Sequence, residues 1–284
     1  MVGRDVVFQV EKGEAEPTDV AVRVEHLSVD DARGVRAVDD VSLEVRAGEI
    51  LGIAGVQGNG QRELVEALAG MMPAVGGRIE YLGTDATGLS PRKITELGVA
   101  HVPEDRTKHG LVGPYSIADN LVLNRYRHVP FARRWIRDTA AIDAEANGLV
   151  ERFDVRTPGI HVPVDNLSGG NQQKVIIARE LSGEVPVLLV AQPTRGLDVG
   201  SIEFIHQQII ALRDQGTAVL LVSAELDEIL SLSDRISVMY RGRLVDTFDA
   251  AEVTREHLGY LMATGASPDD HGGDPTSAPQ EQAS

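Results

Sequence analysis

The chain has 284 residues, no cysteine and a formal net charge of −16. The absence of cysteine excludes disulfides and thiol-based metal sites. The excess of acidic residues argues against nucleic acid or an anionic membrane surface as a partner. No apolar run in the sequence approaches the roughly 20 residues that a membrane-spanning helix needs, and a hydrophobic fraction of 42% is typical of globular proteins.

The first part of the chain is predicted to run from a linker through a β-sheet into a glycine-rich loop. Residues 1–20 contain a Glu- and Pro-rich stretch and are predicted to be a linker. Apolar residues alternate from Val22 to Val45, which is the pattern of half-buried strands. The apolar run Ile50–Ala54 predicts a short buried strand. The glycine-rich residues 55–60 then predict a loop, followed by a helix that ends near Gly70.

The second part of the chain is predicted to contain an inserted helical segment and then a return to alternating strands and helices. Residues 104–166 hold most of the aromatic side chains, among them Trp135, and are predicted to form a helical subdomain. Strands that alternate with helices indicate a parallel α/β sheet. Residues 263–284 are rich in Gly, Pro, Ser and Asp, a composition that predicts disorder. The predicted elements are helices over 117–126, 140–153, 172–181 and 202–215, buried strands over 185–190 and 218–222, and a hairpin of 236–240 with 243–248.

The glycine-rich loop lies between a predicted strand and a predicted helix, which is the arrangement of a phosphate-binding loop. Backbone N–H groups and a helix N-terminus favour phosphate at such a position. The usual motif ends in Lys and Ser or Thr, which bind phosphate and Mg²⁺, but Gln61 and Arg62 stand there. The alternative is a glycine-rich turn that only lets the helix pack closely on the strand. The candidate nucleotide-binding residues are Gly55, Gln57, Gly58, Asn59, Gly60, Gln61 and Arg62.

A second motif is the octapeptide that ends at Lys174. Ser168 could simply cap the helix that follows, whereas Gly169 and Gly170 would let a ligand approach the backbone closely. The octapeptide resembles the signature motif of ABC-type ATPases and is complete. The candidate residues of this motif are Leu167, Ser168, Gly169, Gly170, Asn171 and Gln172.

Other positions resemble motifs of the same family but have lost their reactive side chains. Where the family carries the Walker B Asp and Glu, this chain has Ala191 and Gln192, and neither offers a carboxylate oxygen. Glu104 stands at the position of the Q-loop glutamine, and Ala224 at that of the switch histidine. Asp198 fits the family's D-loop. The degenerate positions are therefore Glu104, Gln192 and Ala224.

The resemblance covers residues 21–262 and implies a fold and a division of labour. The implied fold is an α/β P-loop NTPase (RecA-like) core with an N-terminal antiparallel β-subdomain and an inserted ABC helical subdomain. In the family two ATPase domains close head to tail, and each signature completes the partner's site. The resemblance thus implies that this chain gives its signature to a partner. It also implies that its own loop binds ATP weakly, with Mg²⁺ doubtful and no metal ion expected. Hydrolysis there should be negligible, since losing a general base alone costs about 10²–10⁴ in rate.

Within the family, the chain is similar to the second, C-terminal ATPase domain of importer subunits for simple sugars and nucleosides, and most similar to the nucleoside branch linked to basic membrane lipoproteins. Residues 1–4 resemble the end of a preceding ATPase domain, so the chain is expected to be the second half of a longer polypeptide, split in nature or artificially. The implied partners are that preceding domain and membrane permease subunits, without nucleic acid. The implied location is cytoplasmic and peripheral, on the inner face of the plasma membrane. The transported substrate does not follow from the sequence.

Three alternatives remain open. The chain could be a structural or regulatory module that binds no nucleotide. It could be a soluble ABC ATPase without a transport role, although the net charge of −16 disfavours the nucleic-acid surface that such proteins use. It could also be an independently active ATPase that tolerates Gln192.

Overall fold

The computed structural model describes residues 12–134 and 136–266. The first residues of the predicted linker (1–11), Trp135 and residues 267–284 of the predicted tail lie outside the described residues. The strands are β1 (Val20–Asp30), β2 (Arg36–Arg46), β3 (Ile50–Ala54), β4 (Gly76–Tyr81), β5 (Thr84–Asp85), β6 (Val99–Val102), β7 (Ala132–Arg133), β8 (Ile136–Arg137), β9 (Val187–Ala191), β10 (Ala218–Ser223), β11 (Arg235–Tyr240) and β12 (Arg243–Asp249). The α-helices are α1 (Gln61–Leu68), α2 (Pro91–Glu96), α3 (Ile117–Leu121), α4 (Thr139–Arg152), α5 (Gly169–Glu180), α6 (Val199–Asp214), α7 (Leu226–Leu232) and α8 (Arg255–Thr264).

The N-terminal sheet is antiparallel, with the strand order β2-β1-β4-β5. Its apolar residues alternate as predicted, so that Val22 and Val24 of β1 and Val41 and Val45 of β2 are buried. These side chains pack in one hydrophobic cluster with residues of α1. The sheet is the antiparallel subdomain that the sequence implied.

The central sheet has the order β12-β11-β3-β10-β9-β6. β6, β9, β10, β3 and β11 are parallel to their neighbours, and only β12 is antiparallel to β11. Every residue of β3, β9 and β10 is buried, because strands covered on both faces are near-continuous apolar runs. This confirms the predicted P-loop NTPase type of core, and the hairpin β11–β12 lies where it was expected.

The segment between β6 and α5 is mixed rather than purely helical. It contains a π-helix (Arg106–Gly110), α3, the small hairpin β7–β8, α4 and a 3-10 helix (Val164–Asn166). The helix predicted over 117–126 ends at Leu121, because the chain then makes tight turns in which Arg125 N donates to Val122 O over 2.9 Å. Buried Asn120 also bonds to Val112 on both its oxygen and nitrogen, which holds the short α3 against the preceding loop.

The parallel strands bring three of the predicted motifs to one edge of the sheet. Ser223 of β10 pairs with Ala54 of β3, and Val222 pairs with Ala191 of β9. The loops that follow these strands therefore leave the same edge, which is where ligands bind in such sheets.

The last helix of the described residues, α8, was not predicted, and its last two residues fall in the segment that was expected to be disordered from residue 263 onwards.

Candidate functional site

A cleft of about 860 Å³ lies at this edge of the sheet. It is lined by the glycine-rich loop, with Gln57, Gly58, Gln61 and Arg62, and by residues 103–109, which follow β6. Ala191, Gln192, Arg195 and Gly196, at and after the end of β9, also line it. The motif residues 167–172 are not among the residues that line it.

Gln61 is folded back into the glycine-rich loop. Its Oε1 accepts a hydrogen bond from Asn59 N at 3.1 Å, and its Nε2 donates to Val56 O at 3.1 Å. The residue is only 7% exposed. A Cβ added at Gly55 would lie 2.3 Å from Gln61 Nε2, so the carboxamide fills the space beside that glycine. The side chain thus satisfies a backbone N–H of the kind that would bind phosphate.

Asn59 is held from the other side by the turn between β11 and β12. Its Oδ1 accepts from Arg241 N at 2.9 Å, and its carbonyl accepts from Gly242 N at 2.9 Å. Gly60 next to it has φ 103° and would place a Cβ 2.2 Å from Ala37 O, so only glycine fits there. The loop is therefore fixed by contacts within the protein.

The charge of Arg62 is already compensated on its own helix. Its Nη2 is 2.9 Å from Glu63 Oε1, and its Nε is 3.6 Å from Glu66 Oε1. The negative charge of Glu63, and next that of Glu66, raises the pKa of Arg62 above its ordinary value. The side chain is more than half exposed, so these pairs add little to stability.

The end of β9 carries no acidic side chain. Ala191 is buried, and Gln192 after it takes the left-handed conformation with φ 49° while its N–H donates to Val222 O at 2.8 Å. Ala224 after β10 is exposed and without a titratable group. The donor set is thus an aliphatic and an amide side chain where Mg²⁺ requires carboxylate oxygens. These residues do not fit a magnesium ion.

Glu104 forms a bridge across the mouth of the cleft. Its Oε1 lies 2.6 Å from Arg195 Nη1 and accepts a hydrogen bond from Gln57 Nε2 at 3.2 Å. The carboxylate therefore joins the glycine-rich loop to the segment after β9. The Arg195 partner was not predicted from the sequence, since the two residues are far apart in the chain and carry no common pattern.

The complete motif forms the N-terminus of α5, as its helix-cap pattern indicated. Ser168 is the N-cap residue, and its Oγ accepts from Asn171 Nδ2 at 3.0 Å and from Asn171 N at 3.5 Å. Asn171 Oδ1 in turn accepts from Arg156 N at 2.7 Å. Leu167 is buried, and Gln172 Nε2 donates to Val164 O at 3.4 Å. The start of α5 is thus held by the 3-10 helix and the loop after α4.

The two glycines of this motif face different neighbours. A Cβ at Gly169 would lie 2.7 Å from the Arg106 guanidinium, and a Cβ at Gly170 would lie 2.7 Å from Ser201 Oγ. Asp198 is the N-cap of α6 and accepts from Ser201 N at 3.0 Å and from Ser201 Oγ at 2.8 Å. The Ser201 hydroxyl, and next its backbone N–H, lower the pKa of Asp198. Asp198 and Gly170 are therefore in contact through Ser201.

The comparisons with known proteins show the family of the chain. A protein-family model described as "ABC transporter" matches residues 38–195, which is more than half of the chain. The chain belongs to the ABC transporter family. ATPases of this family bind ATP with Mg²⁺.

Curated relatives of this ABC domain are import ATP-binding proteins. The guanosine import ATP-binding protein NupO of Bacillus subtilis is 47% identical over 263 residues, which cover 93% of this chain and 52% of that protein. The nucleoside import ATP-binding protein NupA of Lactococcus lactis is 48% identical over 265 residues, with the same coverages. The glucose import ATP-binding protein TsgD13 of Haloferax volcanii is 43% identical over 269 residues, covering 93% and 48%. The chain spans about half the length of the curated relatives it matches.

Solved structures share the fold. A nucleotide-free ATP-binding cassette from an ABC transporter superposes with a TM-score of 0.70 at 21% identity, covering 86% of this chain and 96% of that one. A dimeric bacterial ABC transporter cassette superposes with a TM-score of 0.69 at 20% identity, covering 81% of this chain and 98% of that one.

Over residues 12–134 and 136–266 of the ABC domain, no helix is long and apolar enough to cross a membrane. The same residues contain no group of three or more His, Cys, Asp or Glu suited to a metal ion.

Proposed function

We propose that this ABC domain serves an importer of nucleosides or simple sugars and that it supplies its signature motif to the ATP site of a partner domain. The names of its relatives support the importer and its cargo class. The observation that carries this division of labour is a difference between the N-termini of α5 and α1. The full signature motif stands at the N-terminus of α5, where Ser168 is the N-cap residue, whereas the side chain of Gln61 at the N-terminus of α1 hydrogen-bonds within its own loop.

The start of α5 is suited to an anion brought by another domain. The first N–H groups of a helix have no partner within the helix, and the helix dipole favours negative charge there. Ser168 is exposed and Gly169 is partly exposed, whereas Gly170 is buried beside Ser201 and Asp198. The Ser168 hydroxyl and the N–H of Gly169 are proposed to donate to the terminal phosphate that the partner domain holds.

The proposed partners are an intact ATPase domain and membrane permease subunits. Relatives of about twice the matched length support a further domain of similar size, which we propose to precede this one. The segment 104–166 is proposed to dock the permease, because it exposes large apolar side chains, and a groove of about 600 Å³ lies between α2 and residues 123–128. Among the described residues of the segment, the exposed large apolar side chains are Tyr115, Tyr126, Val129 and Ile136. The location that follows from this proposal is cytoplasmic and peripheral, at the inner face of the plasma membrane.

Its own loop is proposed to be non-hydrolytic, with weak or no nucleotide binding. The alternative of a module that binds no nucleotide is favoured by one observation, the pair of hydrogen bonds that Gln61 makes within the loop. Both versions of the proposal predict that this chain contributes its signature motif to the partner's ATP site. They differ only in whether the loop of this chain binds nucleotide weakly or not at all.

The experiment that tests the proposal is ATP hydrolysis by the full assembly of ATPase domains and permease. Ser168→Arg places a long charged side chain where the phosphate would approach and should abolish turnover. The matched control Gln207→Arg adds the same side chain to an exposed position of α6 and should leave turnover intact. Normal turnover in the Ser168→Arg assembly would refute the role in trans.

A further inference from the structure

This inference concerns the glycine-rich loop and rests on the proposed function, in which that loop is non-hydrolytic. We propose that Gln61 is a built-in substitute for phosphate: its carboxamide occupies the phosphate cradle of this chain's own loop and excludes the triphosphate group. The loop would then keep its shape without any nucleotide.

The first support is the pairing of donors and acceptors inside the loop. Gln61 Oε1 takes the N–H of Asn59, and Gln61 Nε2 satisfies the carbonyl of Val56. A phosphate group offers only acceptor oxygens, so it could replace the first bond but not the second. A phosphate that entered would leave both the Val56 carbonyl and the displaced amide in need of new partners.

The second support is the space around the carboxamide. Gln61 is 7% exposed, and the site of a Cβ at Gly55 would lie 2.3 Å from Gln61 Nε2 and 2.7 Å from Met239 O. The amide is therefore enclosed between the loop and β11. Asn59 cannot move outward to make room, because its side chain and carbonyl are bound to Arg241 N and Gly242 N.

The third support is the charge at the mouth of the cleft. The Glu104 carboxylate accepts from Gln57 of the loop and would lie close to an incoming triphosphate. Two of the arginines that line the cleft are paired with carboxylates: Arg195 with Glu104, and Arg62 with Glu63 and Glu66. A polyanion would compete with these carboxylates for the two guanidinium groups.

The proposal predicts the sign of a mutational effect. If Gln61 were a ligand of the phosphates, removing its side chain would weaken binding. Because Gln61 competes with phosphate, Gln61→Ala should instead strengthen binding, by about tenfold for two hydrogen bonds that no longer have to be broken. Gln61→Lys, which adds a cation at the same position, should bind still more tightly.

The test is an equilibrium titration of the full 284-residue chain with inorganic triphosphate and, separately, with a fluorescent ATP analogue, both without Mg²⁺. Gln207→Ala, an exposed glutamine of α6, is the matched control and should bind as the unchanged chain does. Circular dichroism checks that each variant is folded. If Gln61→Ala does not fold, Gln61→Ser decides the outcome, because it also removes the carboxamide and adds no charge. Equal or weaker binding by the folded variants, including no detectable binding by any of them, would overturn the proposal. The Ser168→Arg assembly test does not depend on this result, so the two proposals can fail separately.

Discussion

Asn171 Nδ2 lies 3.0 Å from Ser168 Oγ at the start of α5. An amide nitrogen can only donate, so the serine oxygen is the acceptor in this bond. The orientation of the amide is fixed because Asn171 Oδ1 accepts from Arg156 N at 2.7 Å. The hydroxyl proton of Ser168 must then point away from Asn171 and is available to an acceptor outside the domain.

This relationship predicts the effect of Asn171→Asp on ATP hydrolysis by the full assembly. The carboxylate would still accept from Arg156 N but would take the Ser168 proton instead of donating. We expect turnover to fall by about 10- to 100-fold, the value of one hydrogen bond to a charged group. Thermal unfolding should not suffer, since an acidic residue in the first turn of a helix is favourable.

A double-variant cycle is the control. If Asn171 acts through Ser168, Asn171→Asp should cause no further loss of turnover in a Ser168→Ala background. Losses that simply add would show that the two residues act independently.

The contact of Gly170 with Ser201 predicts different outcomes for two neighbouring glycines. Gly170→Ala should destabilise the domain by about 1–3 kcal/mol, because the new methyl group meets a hydroxyl that is held by Asp198. Gly169→Ala should cost less than about 1 kcal/mol, since the tip of Arg106 can move aside. Denaturant unfolding of the two variants measures the difference.

Removing the Ser201 hydroxyl should relieve the clash. The double variant Gly170→Ala with Ser201→Ala is therefore expected to be more stable than Gly170→Ala alone. If the second substitution lowers stability further by its full single-variant effect, the contact is not the cause.

Buried Glu228 links the segment after β9 to the helices behind it. Its Oε1 accepts from Thr194 Oγ1 at 2.7 Å and lies 2.9 Å from His206 Nε2. Glu228→Ala should lower the free energy of unfolding by about 2–4 kcal/mol, because the Thr194 hydroxyl loses its acceptor in a buried place. Glu228→Gln keeps an oxygen there and should cost clearly less. Equal losses in urea unfolding would show that the hydrogen bonds are not what matters.

The acid stability of the domain should depend on His101. Burial lowers the pKa of this β6 histidine to about 4, and the charges of His109 and Arg179 act in the same direction. The unfolded chain, with an ordinary pKa near 6.5, binds the proton first, so stability is complete above about pH 6.5 and falls as the pH drops towards 4. The total loss is at most about 3 kcal/mol. His101→Gln should flatten this part of the stability–pH curve, measured by denaturant unfolding, and an unchanged slope would contradict the assignment.

Much of the fold followed from periodicity and order. The run Ile50–Ala54 is a buried strand because each of its residues is apolar, and the hairpin β11–β12 turns at Arg241 and Gly242 as expected. The helix predicted over 117–126 was too long, since Asn120 binds the backbone of Val112 and the chain turns after it. α8 was missed altogether.

The sequence singled out the candidate site residues, whereas their contacts came from the structure. The octapeptide around Ser168 and the substituted positions Gln61 and Ala191 were visible in the sequence. Of the residues that hold them, Ser201 had a local signal, since it stands three positions after the cap residue Asp198. Arg156 had none, because it acts through its backbone N–H.

The sequence alone determined which reactive groups the domain lacks, because a missing lysine or carboxylate is a matter of residue identity. It also determined the α/β core, since strand and helix periods are local properties of the chain. Only the tertiary structure decided what Gln61 does, because its partners Asn59 and Val56 are brought into reach by a loop that the turn at Arg241 and Gly242 holds in place. In the sequence, Gln61 is only a residue that replaces the usual phosphate-binding lysine. In the structure its carboxamide hydrogen-bonds inside the loop, because the fold places a donor and an acceptor beside it.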